Sequence, residues 1–412
     1  MSGPDGASQG MHVIIAGGGI AGLALAHGLK KAAVSVAVFE RGGRDSHPSW
    51  QQGYQIHINA DGSRALNECL PPGVRALFEA KALQPSAGVQ MLTARLEVIR
   101  TIEAELAGSN PIVRSALRSV LLQDLDDVVR FGTAFRRYED LPDGRVQATF
   151  ADGTHEVGDV LVGADGVRSA VRAQYLPHAT VDGIGLVGTA GRLPIDDTVR
   201  SYLPGSLLTH LNGVTDPDGL YMIVTESIHK AGDGSQTRSL DRSSDEHDHL
   251  IWVLVSSSEP YGTDPRSMFR DGPALLALVL EQIAGWHPSL RRMVAETDPE
   301  VVSATELQAS RVIEPWETTH VTLVGDAVHT MPPLRGLGGS TALKDAALLC
   351  GKLIAAARSQ VSLLSAIHEY EAAMIDYGFA AVRNSLQFAD MLKSRRFDPR
   401  RLGMRPGAGT DV

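Results

Sequence analysis

An apolar run that ends in glycines constrains this chain more tightly than any other feature. Val13-Ile14-Ile15-Ala16 is uncharged and stops at Gly17-Gly18-Gly19-Ile20-Ala21-Gly22. A short apolar run bounded this way reads as a buried parallel strand. From Ala21 to Lys31 the text becomes Ala- and Leu-rich and helical, and Val34–Phe39 is a second strand that stops at Glu40. A G-x-G-x-x-G between strand and helix is the arrangement that binds a dinucleotide. Gly17 permits the tight turn, Gly19 lets a pyrophosphate approach the backbone, and Gly22 lets helix and strand pack closely. The phosphates then meet the free N–H groups of the helix start, at Ile20 and Ala21, where the dipole favours negative charge. Glu40, 18 residues past Gly22, can accept both hydroxyls of an unphosphorylated ribose, which favours FAD or NAD over NADP here. A glycine turn that serves packing alone is the competing explanation.

Composition narrows the class. The chain has 412 residues, 43% hydrophobic and 21% charged, enough for two or three domain-sized units with a large core. Its net charge of −10 argues against a nucleic-acid footprint, which needs clustered Lys and Arg. Two cysteines, Cys69 and Cys350, cannot build a disulfide framework or a thiolate zinc site, and they point to a reducing, cytoplasmic setting. The stretch Met11–Leu29 is long enough to span a membrane, but glycines cut it and no basic segment precedes it. No metal site is expected: His247 and His249 lie in a polar stretch, 229–249, with nothing nearby to orient them.

Two further glycine-rich turns follow strand-like runs. Gly163-Ala164-Asp165-Gly166 follows Val160–Val162, and Val324-Gly325-Asp326-Ala327 follows Val321. The second leads through His329, Met331, Pro332 and Pro333 to Gly336-Leu337-Gly338-Gly339-Ser340-Thr341, which opens a helix running to about 358. Asp326 can accept a polyol hydroxyl, and Gly338 and Gly339 bring amides against another anionic group. NAD has no ribityl chain and needs no such second cradle, whereas FAD does. Asp345 reads as plain helix interior. Residues 111–130 read as one helix, 181–256 as β-rich with one covered face, and 362–393 as one or two helices.

Glycine loop, Glu40, the Asp165-Gly166 segment and the Gly325-Asp326 segment, in this order over residues 12 to 350, resemble the group A FAD-dependent monooxygenases, similar to salicylate and para-hydroxybenzoate hydroxylases. The resemblance implies an α/β fold: a Rossmann-like FAD-binding domain of the glutathione-reductase type, an inserted β-sheet substrate domain and C-terminal helices. The FAD-binding domain would comprise 11–80, 100–178 and 300–358, the substrate domain 81–99 and 179–299, and a helical segment 359–395, with disordered ends at 1–10 and 403–412. It implies that Glu40 and Arg41 hold the adenosine ribose, and that Arg114, in an Arg-x-x-Leu helix, touches the phosphate and ribityl region. Asp165 would organise the loop over the pyrophosphate, Asp326 would bind the ribityl chain, and Gly338 and Gly339 would meet the flavin edge. Ser340 and Thr341 stand where many relatives carry Asn.

The same resemblance implies the reaction: NADPH or NADH reduces FAD, and O₂ then gives a C4a-hydroperoxide that hydroxylates or epoxidises an aromatic or polycyclic small molecule. The substrate would lie between the flavin and the inserted sheet, with His210, Tyr221 and Trp252 on the sheet side and Met331 and Pro332 opposite. Ordinary packing competes for all three sheet residues. His210 is the one candidate base, and the catalytic residue is otherwise unknown. A reductase or dehydrogenase of the same fold, and a non-catalytic FAD-holding ligand binder, are the alternatives; a halogenase lacks support because its Trp-x-Trp signature is absent. The partners are the aromatic substrate and O₂, with neither nucleic acid nor membrane, in a monomer or homodimer.

Overall fold

The first strand, His12–Ala16, sits at the centre of a five-stranded parallel sheet ordered Val321–Leu323, Val160–Gly163, His12–Ala16, Ser35–Glu40 and Val129–Phe131. Val13, Ile14, Ile15 and Val160–Val162 are fully buried, which is why these strands read as continuous apolar runs rather than alternating ones. Each such side chain contributes on the order of 1.5–3 kcal/mol. In this computed structural model the described residues are 10–44, 55–102, 109–228, 248–262 and 269–394. Apart from Gly10, the ends expected to be disordered lie outside the described residues, as does His247.

Helix Ile20–Lys31 packs against the sheet and against helix Gly338–Ala357, which also carries Ala60–Cys69 on its flank. Phe135–Asp140, Val146–Phe150 and His155–Gly158 form a three-stranded antiparallel sheet. The expected helix over 111–130 is shorter. Asn110–Val113 is a strand paired with Gln55–Ile58, and the helix runs only over Arg114–Leu121.

A second sheet has seven strands, ordered Ser303–Ser310, Val181–Pro194, His249–Ser257, Tyr221–Ser227, Leu211–Thr215, Val89–Thr93 and Val98–Ile102. The divisions drawn at 100 and 300 therefore need correcting: Val98–Ile102 crosses one, and Ser303–Ser310 belongs to this sheet. One covered face was expected; one side is covered by helices and the other in part. Helices Gly272–Gln282 and Pro288–Ala295 bury one side around Trp252, Met222 and Leu254. Leu334 and the end of one continuous helix, Leu363–Lys393, cover part of the other through Phe388, Ala389 and Leu392. Among the described residues no helix is long and apolar enough to cross a membrane.

Candidate functional site

The glycine loop is held from both sides. Gly17 has φ +116°, a region open to glycine, and a Cβ there would lie 2.3 Å from the Ala164 carbonyl oxygen. A Cβ on Gly22 would come within 2.2 Å of the Gly17 carbonyl oxygen. Gly19 is different: its φ is −83° and a Cβ would meet only Ala164 O at 3.8 Å. The protein's own packing does not require glycine at 19, so the space in front of it is left for something else. Helix Ile20–Lys31 starts there with no side-chain cap and no acid in its first turn, which leaves the amides of Ile20, Ala21 and Gly22 free for an anion.

Glu40 ends the neighbouring strand, and its carboxylate is oriented before any ligand arrives. Oε2 accepts the Gly18 N–H at 2.7 Å and Oε1 accepts the Gly42 N–H at 2.8 Å. Each oxygen keeps a further lone pair for a ribose hydroxyl. Arg41 and Arg114 are exposed. One turn beyond Arg114 on the same helix, Arg118 reaches back to the Gly18 carbonyl (3.3 Å) and the Arg44 carbonyl (3.2 Å). The sequence reading missed Arg118; its i+4 spacing from Arg114 was the available signal.

The Asp165 segment touches this loop through Ala164. Asp165 Oδ2 accepts the N–H groups of Ala170 (2.7 Å) and Val171 (3.3 Å), capping the helix Ala170–Tyr175, while its buried Oδ1 has no partner among the described residues. Arg172 in that helix, also missed, donates to Val167 O (2.9 Å) and Ala327 O (2.8 Å). It ties this segment to the Gly325–Asp326 turn.

That turn is where the two cradles meet. Gly325 has φ +62°, and a Cβ on it would lie 3.2 Å from Ala342 Cβ and 3.5 Å from Ala21 Cβ, so it separates the starts of the two helices. Asp326 is exposed and no described residue hydrogen bonds to its carboxylate. Helix Gly338–Ala357 begins uncapped and without a first-turn acid. At Gly338 and Gly339 a Cβ would meet Met331 Cγ at 3.8 Å and Ile56 Cδ1 at 3.7 Å, both ordinary contacts. The Ser340 hydroxyl accepts the Asn59 N–H (3.1 Å) and donates to His57 O (3.4 Å), so it pins the strand Gln55–Ile58 to the helix. Thr341 bonds Leu337 O. His57, in that strand, has a buried Nδ1 without a partner among the described residues, and burial holds its pKa down to about 4.

The sheet residues divide by face. Tyr221 lies on the side of Leu334, with its ring edge-on to Phe388 at 5.3 Å. Trp252 pairs with Val224, three residues from Tyr221, so alternation puts its side chain on the opposite side of the sheet. It is fully buried under Pro288–Ala295, and its indole N–H donates to Thr297 Oγ1 at 2.9 Å. His210 bonds Thr209 Oγ1 at 2.8 Å and sits near Glu226, which shares a side with Val224. Trp252 therefore lies on the helix-covered side, and His210 belongs to the turn before Leu211–Thr215 rather than to a strand. Both faces are apolar, so side-chain parity could not be read from the text. His249 is a strand residue paired with Pro194 and Ser227.

Two uncapped helix starts separated by one glycine, three glycines the fold does not need, an aligned carboxylate at Glu40 and an exposed one at Asp326 match the donor set of FAD: diphosphate, ribose hydroxyls and ribityl hydroxyls. The residues present fit that group. Comparison with known proteins agrees. Residues 10–385 match the family described as FAD binding domain. A dual O-methyltransferase/FAD-dependent monooxygenase of Cercospora beticola is 29% identical over 91% of this chain and 45% of its own length, so the chain spans about half the length of that curated relative. The aurachin C monooxygenase/isomerase of Stigmatella aurantiaca is 28% identical over 89% of this chain and 86% of its own. Among solved structures, a Photorhabdus luminescens protein assigned as an FAD-containing monooxygenase superimposes with a TM-score of 0.81, at 32% identity, over 93% of this chain and 98% of that one. With the glycine loop, Glu40 and the Gly325–Asp326 turn placed as they are, this chain belongs to the FAD-binding-domain family.

Proposed function

We propose that the protein is a monooxygenase that takes electrons from NADPH or NADH and an oxygen atom from O₂ to hydroxylate or epoxidise an aromatic or polycyclic small molecule. The observation that carries this reading is the apolar side of the seven-stranded sheet that meets the loop entering the second cradle. Ile223 and Val253 are cross-strand partners on that side, both only partly buried, with Ala190 and Gly213 beside them in register. Tyr221 and Phe388 bound one end, and Leu334 of the loop rests on the same side. An apolar patch of this kind, with Arg192 two residues along the strand from Ala190 on the same side, suits an aromatic ring system and keeps water off the reacting centre.

The redox chemistry, hydride acceptance and activation of O₂, is the cofactor's. The chain's part is binding, orientation and electrostatics. Glu40 and Arg118 would hold the adenosine side, Asp326 the polyol, and the amides at Gly338 and Gly339 the ring edge, where a helix N-terminus would stabilise developing negative charge. Met331 and Pro332 close the site opposite the sheet.

The test is substrate-stimulated NAD(P)H oxidation by the FAD-loaded protein under ¹⁸O₂, with mass spectrometry of the product. Incorporation of one labelled atom supports the reading. Oxidation without incorporation would make the protein a reductase or dehydrogenase, and neither would leave an FAD-holding ligand binder.

A further inference from the structure

Behind the Gly325–Asp326 turn lies a buried polar cluster that joins three elements. Asp345, on the inner side of helix Gly338–Ala357, has no exposed side-chain surface. Its Oδ2 accepts the Gly325 N–H and meets His329 Nε2, both at 2.7 Å, and its Oδ1 accepts the Tyr377 hydroxyl at 2.6 Å. The three donors come from the cofactor turn, the short helix after it and the C-terminal helix. His329 is pressed so closely on that helix that a Cβ on Gly378 would lie 2.6 Å from its Cδ2.

Burying a carboxylate is costly unless it is fully satisfied, and apolar packing would fill the same space without that cost. What a carboxylate offers is acceptance only: it can take donors from three directions, whereas an Asn would set its own N–H₂ against one of them. Burial works against charge on His329, and the Asp345 carboxylate outweighs it and raises the imidazole's proton affinity. The other ring nitrogen, Nδ1, is buried without a partner among the described residues. The Gly325 N–H has Asp345 as its partner, and the left-handed φ of Gly325 sets the direction in which the next residue leaves the turn. That residue is Asp326, whose carboxylate points outward, while its own carbonyl is fixed by the Thr330 hydroxyl at 2.8 Å.

We propose that Asp345 is a positioning residue for the cofactor: with His329 and Tyr377 it locks the Gly325–Asp326 turn and so aims the Asp326 carboxylate at the polyol chain. Asp345 touches no ligand and acts through Asp326. The inference rests on the flavin reading of the site.

The experiment is a double-mutant cycle on FAD affinity, measured by titrating FAD into apo-protein and following flavin fluorescence, with the absorption spectrum of the bound flavin as a second readout. Asp326→Ala should weaken binding about 10- to 150-fold, the span of one charge-assisted hydrogen bond. Asp345→Asn should weaken it comparably and shift the flavin spectrum in the same sense. Because both act through one contact, Asp326→Ala should cost less than about threefold more when Asp345 is already Asn. Tyr377→Phe, which leaves Asp345 two donors, is the milder variant in the same cycle should Asp345→Asn not fold; it should show a smaller loss, again coupled to Asp326. Losses that multiply independently in the folded variants, or an Asp345→Asn protein that melts earlier yet binds FAD normally, would overturn the proposal. A wild-type chain that takes up no FAD would instead remove the flavin reading itself.

Discussion

Replacing Gly19 and Gly22 by alanine should separate space that the protein fills from space that it leaves open. At Gly22 the new methyl would sit 2.2 Å from the Gly17 carbonyl oxygen. Ordinary contact begins at 3.4 Å, so helix and loop must part by 3.4 − 2.2 = 1.2 Å. Overpacking of this kind costs about 1–3 kcal/mol, against about 1 kcal/mol gained in helix propensity. The loop has little freedom to give way, since the Gly17 N–H is bonded to Phe39 O at 2.8 Å. Gly22→Ala should therefore lower both the stability of the apo-protein and its FAD affinity. At Gly19 the methyl meets one atom at 3.8 Å and φ is ordinary. The apo-protein should lose only about 0.5 kcal/mol, the usual cost of alanine for glycine at an N-cap. If the diphosphate occupies that space, displacing it breaks at least one charge-assisted hydrogen bond worth about 1.5–3 kcal/mol, and FAD should bind about 10- to 150-fold more weakly. Thermal melting of the apo-proteins and FAD titration by fluorescence read the two effects separately. Gly19→Ala binding FAD within about twofold of wild type would refute the reasoning, because the space would then belong to no ligand.

Two further outcomes are expected. Tyr221→Leu should raise the KM for substrate or divert NAD(P)H oxidation into peroxide release at unchanged FAD content, whereas Trp252→Phe should cost about 1 kcal/mol of stability through its lost bond to Thr297 and leave coupling intact; peroxide yield per NAD(P)H decides, and the reverse pattern would show the sheet faces to be misassigned. His57 carries a pKa lowered from 6.5 to about 4 by burial, so the unfolded chain takes up its proton first and the stability it contributes is complete above pH 6.5 and lost as pH falls through 4. That is about 3 kcal/mol, and His57→Asn should flatten the acid limb of apo-protein stability by this amount; Glu371, pushed up to about 7 by burial, works in the opposite sense as pH rises through 7, so the difference between variant and wild type is the quantity to measure. An unchanged acid limb would show His57 to be solvated.

What the sequence determined by itself was local. The run Val13–Ala16, the three glycine turns and Glu40 could be read because each is short-range: strand, turn and helix start follow from neighbouring residues, and a glycine at φ +116° or +62° leaves its mark in the text. Nothing local distinguishes Tyr221 from Trp252, three positions off alternation on adjacent strands whose two sides are both apolar, so only the packing of Pro288–Ala295 on one side and Phe388 on the other decided which faces the site. Arg118, Arg172 and Ser340 each take at least one partner from a segment 74 to 283 residues away. Asp345 looked like helix interior because a buried carboxylate and an exposed one read alike. Its meaning comes from the meeting of Gly325, His329 and Tyr377, and long-range convergence of donors is a property of the folded chain alone.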